Sequence, residues 1–145
     1  MSYETVERFF GVVLWLAAGG HFVTLMASFQ VPYRLEWKRD LAQLMPFNRK
    51  LMWVQGGFTA MTILAFGILT LVLHGEMLRG DRAALGLVGY IAVFWTTRIL
   101  VDIFYYSHED WPAGRQFVIG HALLTGLFVA QACGYWGLFL WHILQ

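Results

Sequence analysis

A chain of 145 residues that is 59% hydrophobic and 13% charged, with a mean hydropathy of +0.58, lacks the charged surface of a soluble domain this size. A net charge of +1 argues against a nucleic-acid partner. A single cysteine, Cys133, excludes an internal disulfide and a CxxC metal motif.

The N-terminal MSYETVERFF is acidic rather than basic, and the apolar run behind it is longer than a signal-peptide core. No cleavable signal is expected. Four apolar runs follow, over residues 9–29, 51–74, 84–106 and 116–144. Each is near the ~20 residues needed to span a bilayer. The last is the longest and is expected to tilt or project.

The first run carries a small and polar stripe, Ala17, His21, Thr24 and Ser28, at helical spacing. In the connection behind it, Pro32 sits where a helix can begin. Tyr33, Trp37, Leu41 and Leu44 then recur at helical spacing, with Arg34, Lys38 and Arg39 off that stripe. The pattern predicts a short amphipathic helix over 33–45 in the headgroup layer. It either only ties two spans together or docks anionic lipid or a partner. Pro46 is expected to end it, and Asn48 to cap the second span.

The second run has Gln55, Thr59 and Thr62 on one face; the third has Arg98, Asp102 and Tyr105; the fourth has His121 and Thr125. Charges inside a span are expensive and face a bundle interior. Arg98 and Asp102 are four residues apart, so they share a face and can pair. The fourth run also carries Ala122, Gly126, Ala130 and Gly134, a small-xxx-small ridge suited to contact with another helix, here or in a second protomer. Cys133 reads as a small buried packing residue. The links at 75–82 and 107–115 are short, and Pro112 and Gly114 mark the second as a turn. Short links make neighbouring helices antiparallel. The expected fold is therefore all-α: one integral membrane four-helix antiparallel bundle with a short interfacial helix between spans 1 and 2.

Let side A hold the N-terminus and side B be the other. Side A carries Arg8, Arg79 and Arg82; side B carries Arg34, Lys38, Arg39, Arg49, Lys50 and Arg115. This bias puts side B in the cytoplasm and both termini on the non-cytoplasmic side.

Counted from the run ends, His21, His121, Gln55 and Asp102 fall at a similar depth below side B. Glycines beside them, in AAGGH, QGG and IGH, leave room for close helix packing or a flat ligand. His21 and His121 are expected to point into one cavity with Gln55 and Asp102. His108, in YSHED, stands at its mouth. His74 and His142 fall at the side A edge, where an interfacial histidine is ordinary.

Three functions fit. One is a non-catalytic subunit of a larger membrane assembly, meeting a membrane-protein partner or a second copy through the Ala122–Gly134 ridge. Another is a redox protein holding b-type haem or a quinone through His21 and His121, with Arg98 and Gln55 as further contacts. The third is a zinc or iron enzyme acting on a lipid-like substrate, with His21, His121, Asp102 and His108 as ligands.

Overall fold

A computed structural model describes residues 3–107 and 114–144. The protein is an all-α bundle of four long helices: α1 (Tyr3–Arg34), α3 (Pro46–Val72), α5 (Arg82–Phe104) and α6 (Arg115–Ile143). All four are long and apolar enough to cross a bilayer, which makes this a multi-pass membrane protein. Two short helices lie in the connections, α2 (Trp37–Asp40) and α4 (His74–Arg79).

Contacts fix the antiparallel order. On α1 and α3, His21 meets Phe66, and His74, at the start of α4 just beyond α3, meets Gly11. On α1 and α6, Phe10 stacks on Trp141, and Ala17 meets Gln131. On α5 and α6, Trp95 stacks on Phe128, and Asp102 meets Thr125. The sequence numbers of each pair run in opposite directions. Between α3 and α5, Phe66 meets Tyr90 and Phe94 edge-to-face.

The connection expected as one helix over 33–45 is built differently. α1 continues through Pro32 to Arg34, and Glu36 then takes a left-handed conformation that ends the helix. α2 and a 3₁₀ turn, Leu41–Gln43, complete the link. Of the expected apolar stripe, Leu41 is buried and Trp37 half-buried, whereas Tyr33 and Leu44 face outward. Pro46 does not end a helix here. It opens α3 at the first turn, where its missing N–H costs no bond, and Asn48 lies inside that turn. The cap residue is Met45.

On side A, α4 turns the chain between α3 and α5. Its C-terminal Gly80 adopts φ 72°, a left-handed conformation suited to glycine. His142 donates from Nε2 to the Met77 carbonyl (3.2 Å), and a Cβ on Gly80 would lie 2.6 Å from the His142 ring. His74 donates from Nε2 to the Gly11 carbonyl (3.0 Å), tying α4 to α1. Both histidines serve as ties between elements.

The core is displaced toward side A and stops short of the side B ends of the helices. Buried residues of α1 run from Leu14 to Thr24, of α3 from Ile63 to Thr70, of α5 from Ala84 to Trp95 and of α6 from Phe128 to Leu138. Together these stretches fill the side A part and the middle of the bundle. Toward side B, among the described residues, the four long helices have no fully buried position beyond Thr24, Ile63, Trp95 and Phe128.

Candidate functional site

The charged cluster sits in the side B half. Asp102, whose side chain is 7% exposed, receives three neighbours. His121 Nε2 lies 3.0 Å from Oδ2, the Thr125 hydroxyl donates to Oδ2 at 3.1 Å, and Arg98 Nη1 stands 3.6 Å from Oδ1. Helix spacing brings each same-helix pair together: Arg98 with Asp102 on α5, and His121 with Thr125 on α6. The Arg98 guanidinium also lies over the rings of Phe128 (5.3 Å) and Tyr106 (5.7 Å). Its buried Nη1 lacks a hydrogen-bond acceptor among the described residues, since the Asp102 separation is that of an ion pair. His121 Nε2 touches both Thr125 and Asp102. One ring nitrogen thus faces both the hydroxyl and the carboxylate, whereas in a nucleophilic triad these two groups face different ring nitrogens.

His21 belongs to a second, separate cluster in the packed half. It is fully buried. Nδ1 donates to the Ala17 carbonyl at 2.8 Å, and Nε2 accepts from Trp95 Nε1 at 3.1 Å. These two bonds select the tautomer with hydrogen on Nδ1. Phe66, Trp95 and Tyr135 enclose the ring, at centroid distances of 5.6–5.8 Å. Axial ligation through Nε2 would require breaking the Trp95 bond.

His21 and His121 therefore do not share the expected cavity. The shift in depth has a plain cause. α1 continues past residue 29 to Arg34, so His21 lies about 20 Å from its side B end, at ~1.5 Å rise per residue. His121 lies about 9 Å from the start of α6 by the same measure. Trp95 and Phe128, stacked at 4.8 Å, fill the level between the two clusters.

Gln55 joins neither cluster. It faces outward on α3, and the Thr59 and Thr62 hydroxyls bond back to their own helix, to the Gln55 and Phe58 carbonyls. His108 lies outside the described residues. The expected metal set His21, His121, Asp102 and His108 is not brought together. Among the described residues, no three His, Cys, Asp or Glu side chains converge.

Sequence reasoning missed three buried polar residues. Gln131 donates from Nε2 to the Ala17 carbonyl at 2.9 Å, the same oxygen that receives His21. Its Oε1 is buried without a partner among the described residues. A Cβ on Gly20 would lie 2.5 Å from that amide nitrogen, so any larger residue here would displace the Gln131 amide. Thr70 and Tyr135 share a buried hydroxyl–hydroxyl bond of 2.6 Å between α3 and α6. Lone polar residues in an apolar run were the available signal.

The outer surface differs from expectation at Cys133, which is exposed rather than buried. It lines an apolar groove of about 490 Å³ between α1 and α6, with Phe9, Val13, Leu16, Ala130 and Gly134. On the small-residue ridge, Gly134 packs against Val13, whereas Ala122, Gly126 and Ala130 face outward. Compared with protein-family models, curated proteins and solved structures, the chain matches none.

Proposed function

We propose that the protein is a non-catalytic subunit of a larger membrane assembly, completed in its side B half by a helix of a membrane-protein partner or of a second copy. The observation that carries this reading is where the polar groups stand relative to the core. Arg98 (37% exposed) and His121 (32% exposed) lie on the side B side of Trp95 and Phe128, the last fully buried positions of their helices in that direction. Lipid tails offer such groups no hydrogen bonds, so an open polar cluster in a span favours a protein neighbour. The outward-facing Ala122 and Gly126 lie at the same level, with Ala130 one turn nearer side A, and this line of small residues lets a second backbone approach closely. The buried polar groups elsewhere support the non-catalytic part. His21, Thr70 and Tyr135 are spent on bonds within the bundle.

The test is a photo-crosslinking residue, p-benzoylphenylalanine, at Leu123, which is 71% exposed beside the ridge. A control goes at Val93, half-exposed on the packed half of α5. Irradiation in intact cells is expected to give one discrete protein adduct from Leu123 and none from Val93. Lipid adducts alone at both positions would reject the reading. In this assembly side B is cytoplasmic and both termini lie outside, since side B holds six of the nine basic residues outside the spans. Cysteine labelling at Phe47 and at Tyr3 with an impermeant reagent tests that orientation, with labelling from outside expected only at Tyr3.

A further inference from the structure

The side B end carries a feature independent of the subunit reading. Residues 34–50 hold five basic side chains, Arg34, Lys38, Arg39, Arg49 and Lys50, against two acidic ones, Glu36 and Asp40. Among the described residues, Arg39 alone of these is ion-paired, with Glu36 at 3.1 Å. Arg34, Lys38, Arg49 and Lys50 have no ion pair among the described residues.

The fold gathers these four cations at one end. Arg34 closes α1, while Arg49 and Lys50 stand at the start of α3, whose first turn has no acid. Lys38 follows Trp37, which packs edge-to-face on Trp53 (5.6 Å) and lies over Gly56 of α3, fixing α2 against that helix. The left-handed backbone at Glu36 (φ 50°, ψ 38°) folds α2 back into this position. A non-glycine residue there is disfavoured, so the surrounding contacts hold the turn in place.

Large apolar side chains stand out beside the cations. Tyr33 is 86% exposed, Phe47 73% and Met45 72%. Cations mixed with outward aromatic and aliphatic groups, at the end of a bundle of spans, match the layer where acyl chains give way to phosphates.

We infer that this end is a binding surface for the phosphate groups of anionic phospholipid, with Arg34, Lys38, Arg49 and Lys50 as the contacts. Tyr33, Met45 and Phe47 enter the upper acyl region and keep the four cations at phosphate depth.

The experiment reconstitutes the full chain in phosphatidylcholine vesicles holding a trace of spin-labelled phosphatidylglycerol or spin-labelled phosphatidylcholine. Electron paramagnetic resonance gives the fraction of each lipid immobilised by the protein. At low salt, the wild type is expected to prefer phosphatidylglycerol by about threefold or more, since each basic residue near the surface adds to the attraction. The pairs R34Q/K38Q and R49Q/K50Q should each lower the preference, and all four together should bring it to about one. The side A pair R79Q/R82Q, on the opposite end, should leave it unchanged. Circular dichroism checks that each variant keeps its helices. A ratio of one in the wild type overturns the inference, as does an undiminished ratio in the folded fourfold variant. Selectivity lost equally in R79Q/R82Q would also overturn it.

Discussion

Asp102→Asn removes the carboxylate that faces Arg98 while keeping the side chain's shape and one oxygen for Thr125 or His121. The size of the effect follows from how deep the pair sits. Removing one partner of a fully buried pair costs about 3–5 kcal/mol, and an exposed pair is worth about 0–1 kcal/mol. Here Asp102 is 7% exposed, Arg98 is 37% exposed, and they are separated by 3.6 Å. The rings of Phe128 and Tyr106 attract the cation in either case. A loss of about 2 kcal/mol is expected, between the buried and exposed limits. The assay is equilibrium unfolding in mixed micelles of increasing SDS fraction, followed by far-UV circular dichroism. Arg98→Met in the Asp102→Asn background should recover part of the loss, because the orphaned charge is gone. The cycle should report coupling of about 1 kcal/mol or more. A change below about 0.5 kcal/mol in Asp102→Asn, or strictly additive variants, would refute the reasoning.

The packed half makes further commitments under the same assay. Trp95→Phe strips the donor from His21 Nε2 in a fully buried site and should cost about 1–3 kcal/mol; nitrogen NMR of the histidine should shift at Nε2 and not at Nδ1. Thr70→Val and Tyr135→Phe should each destabilise, and the double variant should be about as stable as the worse single, leaving coupling near 1 kcal/mol. Gly20→Val drives side-chain atoms into the Gln131 amide and should cost about 1–3 kcal/mol. Gly86→Ala, where a Cβ meets nothing within 4 Å, should go the other way, by up to about 1 kcal/mol of helix propensity.

Features that depend on one helix were legible in the sequence. Hydropathy marked four spans because each must carry its own apolar length. The Arg98–Asp102 separation follows from i,i+4 spacing alone, as does that of His121 and Thr125. Partners on different helices were not legible. Nothing in the first span says that His21 meets Trp95, since that contact depends on the level at which α1, which runs on past residue 29 to Arg34, packs against α5. The second span shows the same limit. Gln55 and Thr59 share the phase of Ile63, Phe66 and Thr70, but only the latter three are buried. The face was readable from periodicity. The depth at which neighbouring helices close on it was not, because hydropathy alone cannot tell which half of a span carries the packing. Cys133 and the ridge follow the same rule: small residues permit contact but do not name the helix that makes it.

The most direct test of the subunit reading is the mass of the particle that holds this chain when it is taken from its native membrane in polymer-bounded nanodiscs. Native mass spectrometry of that particle should show the 16.6 kDa chain accompanied by a second polypeptide or a second copy. A Gly126→Leu, Ala130→Leu variant should release it as a single chain while keeping its helicity. A wild-type particle containing one copy of the chain and no other protein would contradict the account.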